Sequence, residues 1–217
     1  MITICPNTTL PKLENDLRLY HSLIRQSRCD SIALEELIVN ALKADPNNVE
    51  VVWDSGSHKS GPDIEVLQLP NKHKENISVK SGQVDAQGML SISGSRLTKL
   101  VSANKRSTSD LQDLNSFLSG PQHKANWCFS SPCLQGINTF EYSIYNLPAS
   151  IFQYPTQHTQ WTLKHTKTGK NKGSIGGLTY TAPNDIRYEI RFTMSSQLWT
   201  FVPQSVYTPY FTAKIIA

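Results

Sequence analysis

Charged residues interrupt two short segments that otherwise have the composition of β-strands, SGPDIEV at 60–66 and NISVKSGQ at 76–83. Because alternate side chains of a strand share a face, Asp63 and Lys80 lie on the polar faces of these two strands. The short polar turn between the strands predicts an antiparallel pair, which brings the carboxylate and the ammonium together at one end of the sheet. This combination favours a site for Mg²⁺ and water, since Mg²⁺ binds one or two carboxylates together with phosphate oxygens.

Pro62-Asp63 and Ser78-x-Lys80 together form a pattern that resembles the PD-(D/E)xK nuclease superfamily, and type II restriction endonucleases most of all. The resemblance extends over residues 49–83 and, loosely, over the helix before them. The chain departs from the family at Ser78, where the family has Asp or Glu. The resemblance implies a restriction-endonuclease-like α/β (α+β) fold, in which helices flank a central mixed β-sheet with additional C-terminal strands. It also implies a Mg²⁺-dependent site-specific deoxyribonuclease that hydrolyses phosphodiester bonds in double-stranded DNA.

The resemblance also implies roles for individual residues of the pattern. Asp63 would bind Mg²⁺ together with the main-chain carbonyl of Val79, and Lys80 would position the attacking water. The hydroxyl of Ser78 shares a face with Lys80, so it would hold the lysine, bind a water of the metal, or have no role. Enzymes of this superfamily that carry Ser-x-Lys recruit the missing acid from elsewhere, often from an N-terminal helix.

Glu35, on the second predicted helix, is our candidate for this displaced acid and metal ligand. Successive residues of a helix turn by about 100°, and the apolar stripe of this helix is centred near Leu34, Ile38 and Ala41. Glu35 lies on the side towards which the stripe widens, whereas Glu36 lies nearly opposite its centre and is expected to face water. Three acids on other elements could take its place: Glu65, Asp110 and Asp113.

Apolar periodicity predicts the elements that must position these residues. Three helices are predicted. The first covers 10–26, the second begins at a cap formed by Asp30 or Ser31 and ends before Asp45, and the third covers about 108–118. Strands are predicted over 49–53, 63–69 and 77–80, with short strands after residue 127 in the runs FEYSIYNL, WTLKHT, LTYTA, IRYEIRFTM and LWTFV. We interpret 1–217 as a single nuclease-like domain. Residues 1–120 hold the helices and the catalytic sheet, and 121–217 form a β-rich part with candidate DNA-recognition elements.

Two basic segments have the composition of DNA contacts, because lysines and arginines among hydroxyl residues commonly bind phosphates. The candidates in 91–106 are Arg96, Lys99, Lys105 and Arg106, and those in the loop at 164–172 are Lys164, Lys167, Lys170 and Lys172. Aromatic residues of the C-terminal strands are predicted to fill the core rather than to stack on bases: Trp161, Tyr180, Tyr188, Phe192, Trp199 and Phe201.

Composition sets only broad bounds on function. A net charge of +4 is compatible with a polyanionic partner but does not by itself indicate one. We expect no membrane partner and a cytoplasmic location, because the sequence contains no apolar run of about 18 residues and no secretory signal. The four cysteines are expected to be buried thiols rather than zinc ligands.

A homodimer is the natural assembly for cutting both antiparallel strands of a palindrome, because two symmetric active sites then face the two strands. Two other hypotheses within DNA biology remain open: a repair or recombination nuclease of the same fold that recognises structure, and a non-catalytic DNA-binding protein. A third hypothesis is an interaction protein in which Asp63 and Lys80 form a simple salt bridge. That hypothesis predicts neither DNA affinity nor a response to metal.

Overall fold

The chain folds into two compact units that interleave along the sequence. The first unit comprises Met1–Gln83, His123–Ser150 and Tyr207–Ala217, and the second comprises Val84–Gln122 and Ile151–Val206. This division differs from the chain-order boundary predicted near residue 120, and the interpretation as one domain stays a prediction. The computed structural model describes residues 7–24, 29, 31–53, 63–70, 72–96, 111, 114, 115, 118, 126–134, 139–168, 172–192 and 197–217, with the main chain alone at 31, 49, 94–96 and 126–134.

Helices and strands are both well represented, so the protein is of mixed α and β class, as predicted. The helices whose full bounds the structure describes are α1 (Thr9–Leu23) and α2 (Ser31–Lys43), and short helical turns lie at Ala149–Ile151, His158–Gln160, Gln204–Tyr207 and Thr208–Tyr210. The strands are β1 (Asn48–Trp53), β2 (Ile64–Gln68), β3 (His73–Ser81), β4 (Gln83–Val84), β5 (Leu90–Arg96), β6 (Asn126–Leu134), β7 (Phe140–Leu147), β8 (Thr162–His165), β9 (Ile175–Thr181), β10 (Arg187–Arg191), β11 (Gln197–Val202) and β12 (Phe211–Ile216). None of the described helices has both the length and the hydrophobicity needed to cross a bilayer.

The first unit is built on a six-stranded mixed sheet in the order β1-β2-β3-β6-β7-β12. The strands β1, β2 and β3 form an antiparallel series, and β6 then pairs with β3 in parallel. The remaining pairs, β6 with β7 and β7 with β12, are antiparallel. A central mixed sheet with neighbouring helices is therefore present, as the sequence predicted.

Helices α1 and α2 pack against one face of this sheet and form its hydrophobic core. Burying apolar side chains is the main favourable contribution to folding, and the predicted helical stripes supply these side chains. The helical members include Leu13, Leu17, Leu34, Ile38 and Leu42, and the sheet members include Ile64, Val66, Ile77, Val79, Ile144 and Ile215. The buried Cys29 belongs to the same cluster, as predicted.

Both predicted N-terminal helices are confirmed, with small differences at their ends. Helix α1 ends at Leu23 instead of residue 26, and Ile24, which the apolar periodicity had included, is exposed. Helix α2 ends just before Asp45, whose side chain accepts the main-chain N–H of Asn47 at 2.9 Å. Such a local side-chain bond offers the backbone an alternative to the helix, which explains the predicted break.

Three strands of this sheet differ from the sequence-based prediction, and one of them, β6, was not among the predicted strands. β3 begins at His73, although residues 70–76 were predicted to be a polar turn. The polar residues of this segment pair with β2, and Lys74 forms a cross-strand ion pair with Glu65 at 2.7 Å. β12 was also not predicted, and it pairs with β7 as the last strand at one edge of the sheet.

A buried polar contact joins α1, Cys29 and β7. The hydroxyl of Tyr142 lies 2.7 Å from Nε2 of His21 and accepts the main-chain N–H of Cys29 at 3.1 Å. Burial lowers the pKa of His21, so the imidazole is expected to be neutral in the folded protein at neutral pH.

Replacing Tyr142 by phenylalanine is therefore expected to lower the free energy of unfolding by about 1–3 kcal/mol, because buried polar groups lose a hydrogen-bond partner. Urea denaturation of both proteins measures this difference. An unchanged midpoint at an unchanged denaturant slope would contradict a structural role for the hydroxyl.

The second unit contains a six-stranded sheet in the order β4-β5-β11-β10-β9-β8, in which the pairs from β5 through to β8 are antiparallel. One face of this sheet is apolar and buried, with members that include Ile92, Leu178, Tyr188, Ile190 and Leu198. The buried side chains of Leu111, Leu114 and Leu118 agree with the apolar stripe predicted for the helix at 108–118. Most of that helix lies outside the described residues.

Candidate active site

The hairpin of β2 and β3 brings Asp63 and Lys80 together, as the alternation of side chains predicted. Ile64 pairs with Ile77, so Asp63 lies just before β2 and beside the end of β3. Oδ2 of Asp63 is 3.0 Å from Nζ of Lys80 and accepts the main-chain N–H of Val79 at 2.7 Å. The two charged side chains remain 25% and 27% exposed, so solvent and a ligand can reach them.

Asp63 lies just before the first residue of β2. Its side chain accepts the Val79 N–H, which the main chain of a neighbouring strand would otherwise bind. In a β-ladder, the N–H and the C=O of one residue point to the same neighbour. Since the N–H of Val79 points to Asp63, its carbonyl oxygen also faces that side. This is the carbonyl that the sequence analysis assigned to the metal.

Glu35 reaches this region from α2. Its Oε2 accepts a hydrogen bond from Nε1 of Trp53 at 3.3 Å, and Trp53 pairs with Ile64, the residue after Asp63. Burial raises the pKa of Glu35, and the negative charge of Asp63 raises it further. The Trp53 hydrogen bond and the positive charge of Lys80 act in the opposite direction. Glu35 is thus within electrostatic reach of both residues of the hairpin.

The other candidate acids are less suited to the site than Glu35. Glu65 forms an ion pair with Lys74 at 2.7 Å, while Asp110 and Asp113 lie outside the described residues. Glu36, the neighbour of Glu35, is exposed as predicted. Of these acids, Glu35 is the one for which the described structure shows a link to Asp63 and Lys80.

Ser78 occupies the position where the PD-(D/E)xK nucleases have an acid. The residue is only 8% exposed, and no hydrogen bond from its hydroxyl to Asp63 or Lys80 is found among the residues that the structure describes. The described structure therefore gives no support to the prediction that Ser78 holds Lys80. Its role toward a metal-bound water stays a prediction.

Sequence reasoning missed Trp53 as a member of the site. The residue was predicted only as the end of a strand, yet its indole N–H orients the carboxylate of Glu35. The available signal was chemical, because an indole offers a donor and no acceptor, and a half-buried one commonly finds an oxygen partner.

The oxygen donors of this site fit Mg²⁺, which the family resemblance implies. Mg²⁺ uses few protein ligands and keeps several waters, so two carboxylates and one carbonyl are sufficient. The hydrogen bonds that Asp63 accepts from Val79 and Lys80 both use Oδ2, and no hydrogen bond to its Oδ1 is found within the described ranges. These ranges contain no group of three or more His, Cys, Asp or Glu side chains that could hold a metal ion, and the proposed ligand set needs only two.

The predicted DNA-binding residues that the structure describes lie in the second unit, whereas the predicted catalytic residues lie in the first. Lys164 is in β8, and Lys167 and Lys172 are exposed in the connection from β8 to β9, where the sequence predicted a basic loop. The other predicted DNA-binding side chains fall outside the described residues: Arg96, Lys99, Lys105, Arg106 and Lys170.

The chain was compared with family models, with curated proteins and with solved structures, and no match was found in any of the three comparisons. Function is therefore inferred from the residues of the hairpin and from the helix that flanks it.

Proposed function

We propose that this protein is a Mg²⁺-dependent endonuclease that hydrolyses phosphodiester bonds in double-stranded DNA at a specific short sequence, as type II restriction endonucleases do. The observation that carries the proposal is the carboxylate of Asp63, which binds both Lys80 and the main chain of Val79 at the open end of a hairpin. A hairpin that pairs Asp63 with Lys80 on a mixed sheet, together with Glu35 on a flanking helix, supports a fold like that of these enzymes.

Asp63, Glu35 and the carbonyl of Val79 would hold Mg²⁺ at this site. When bound, the ion supplies positive charge that offsets the charge of the scissile phosphate and lowers the pKa of a water. The two carboxylates provide the negative charge that a divalent cation requires, although Ser78 is neutral. The raised pKa of Glu35, caused first by burial and to a lesser extent by the negative charge of Asp63, is consistent with this role, because a bound cation would favour the ionised carboxylate.

Lys80 would orient the attacking water. An ammonium offers three N–H donors, and one of them is directed to Oδ2 of Asp63. This bond fixes the position of the ammonium and leaves donors for a water and a phosphate oxygen. The water would attack phosphorus in line with the departing oxygen, while the positive charge stabilises the negative charge that develops on the phosphoryl oxygens.

The proposed enzyme is a homodimer in the cytoplasm. A homodimer would place two such sites on the two antiparallel strands of a palindromic sequence. The cytoplasm is the compartment in which such an enzyme of a restriction system would meet its DNA.

Incubation of the purified protein with long, mixed-sequence duplex DNA, with Mg²⁺ or with EDTA, tests the proposal. We expect discrete fragments that appear only with Mg²⁺, and their mapped ends would give the recognition sequence and the stagger. Intact DNA under all conditions would refute the endonuclease. Cleavage confined to branched or damaged duplexes would identify a structure-specific nuclease instead.

A non-catalytic DNA-binding protein is the second candidate, and the observation that favours it is the neutral, buried Ser78 at the position of a catalytic acid. Such a protein would retard duplex DNA in a gel with strong salt dependence, and it would leave the DNA intact with Mg²⁺.

A further inference from the structure

A cluster of charged and aromatic side chains lies on the face of the second sheet opposite its apolar core. The register brings its members together, because residues directly opposite each other on paired strands share a face. Glu189 pairs with Trp199, and Arg187 pairs with Phe201. We name this cluster the basic–aromatic face: Lys164, Arg187, Glu189, Arg191, Trp199 and Phe201.

Trp199, which was expected in the core, is only half-buried and lies on the opposite face of the sheet, whereas Phe201 lies on that same face but is buried, as expected. Tyr188 pairs with Thr200, and both face the apolar side of the sheet. The next pair along the two strands, Glu189 and Trp199, therefore faces the other side. The rings of Trp199 and Phe201 are stacked there, with centroids 6.5 Å apart and an interplanar angle of 22°.

Three cationic side chains surround the carboxylate of Glu189 on this face. It accepts contacts from Lys164 at 3.1 Å, from Arg187 at 3.4 Å and from Arg191 at 2.9 Å. Burial alone would raise the pKa of Glu189, but the hydrogen bonds and the positive charges of Arg191 and Lys164 together outweigh burial and lower the pKa. With Glu189 ionised, the three cations leave this cluster with an excess of positive charge.

The aromatic rings hold the two guanidinium groups in place. Arg187 lies 4.4 Å above the ring of Phe201, and Arg191 lies 5.0 Å from the ring of Trp199. Both arginine side chains nevertheless remain nearly half exposed, at 45% and 46%. Side chains that are already ordered lose less entropy when they bind a ligand, so this arrangement favours recognition by the arginines.

We propose that the basic–aromatic face binds the phosphate backbone of duplex DNA. Each guanidinium has five N–H donors, so the contacts with Glu189 leave others for phosphate oxygens. The hydroxyl residues Thr162, Thr179 and Ser93 lie on the same face by the strand register and are of the type that contacts phosphates. This inference rests on the proposed function, since it names the surface that holds the same DNA.

The test measures binding without cleavage, by fluorescence anisotropy of a labelled mixed-sequence duplex in EDTA over a series of salt concentrations. The variants Arg187→Gln and Arg191→Gln are each expected to weaken binding by roughly 10-fold and to reduce the slope of log affinity against log salt by about 1. Lys164→Ala should act in the same direction, and it keeps both arginines beside Glu189 if an arginine variant fails to fold.

Lys214→Ala is the matched control. Lys214 belongs to the first unit, forms an ion pair with Glu141 at 2.9 Å and is 53% exposed, close to the 54% of Lys164. It should bind DNA with the affinity and salt slope of the wild-type protein.

Three results would overturn the proposal: no DNA binding by the wild-type protein, wild-type affinity and slope in the arginine and Lys164 variants, or an equal loss in the Lys214 control. Tighter binding to a single strand than to the duplex would overturn the assignment of duplex DNA. The endonuclease can fail separately: if the wild-type protein binds but never cuts with Mg²⁺, and the variants bind more weakly, the face is confirmed while the proposed activity is lost.

Discussion

Replacing Lys80 by alanine is expected to lower the single-turnover rate of DNA cleavage at saturating Mg²⁺ by about 10³-fold, the effect of losing one well-placed donor to a transition state. The ammonium lies 3.0 Å from Asp63, at the point where the attacking water and the scissile phosphate would meet. DNA affinity in EDTA should change little, because the main DNA contacts are proposed on another surface. Rates measured on a fluorescent duplex that contains the mapped site would show the difference.

Lys74→Ala is the control for this variant. Lys74 lies on the same strand and forms an ion pair with Glu65 at 2.7 Å, so its loss tests the removal of a cation from the hairpin. Its cleavage rate should stay within about twofold of the wild-type rate, as expected for a surface pair of little energetic weight. Equal losses in both variants, or full activity of Lys80→Ala, would argue against a role of Lys80 in the reaction.

Replacing Glu35 by glutamine is expected to change activity and stability in opposite directions. Cleavage should fall by about 10²-fold or more, because one of the proposed ligands of Mg²⁺ loses its charge. The thermal midpoint at neutral pH should rise, because a partly buried carboxylate beside Asp63 disfavours the folded state when ionised. The amide oxygen of glutamine can still accept the N–H of Trp53, so the local structure should persist.

The pH dependence of stability follows from the raised pKa of Glu35. The folded protein holds this proton more tightly than the unfolded chain, so the free energy of unfolding decreases as the pH rises from the ordinary glutamate value to the folded pKa. The rise in thermal midpoint caused by Glu35→Gln should therefore appear at pH values above this range and vanish at pH values below it. Thermal unfolding from acidic to neutral pH measures this gain.

Glu36→Gln provides the comparison, because Glu36 is the exposed neighbour of Glu35 on the same helix. Mg²⁺ should raise the midpoint of the wild-type protein and of this control, since a ligand of the folded state stabilises it, but should have little effect on Glu35→Gln. An identical response of the two glutamine variants would contradict the assignment of Glu35 to the site.

Local periodicity was sufficient to predict that Asp63 and Lys80 meet in the candidate site. Alternation along β2 and β3 placed Asp63 and Lys80 correctly, because a short hairpin fixes its pairing locally. Helical periodicity also selected Glu35 over Glu36. Both inferences depend only on residues close in sequence and on the regular geometry of one element.

Features that depend on distant pairing could not be predicted in this way. The run LWTFV is continuously apolar apart from one threonine, so its sequence does not reveal which face of the sheet Trp199 occupies. Its pairing with Glu189 decides that question. The same holds for β12, whose partner β7 lies more than sixty residues earlier in the chain. The interleaving of the two units likewise results from contacts between remote segments.

The hydrogen bond from the Val79 amide to Asp63 couples the position of a side chain to the protection of a backbone proton. Oδ2 serves as the acceptor that a neighbouring strand would otherwise supply. Whatever draws this oxygen away, whether a cation or a substrate, also releases the amide. The exchange rate of that single proton with solvent water is thus a readout of the state of the carboxylate, visible without any turnover of DNA.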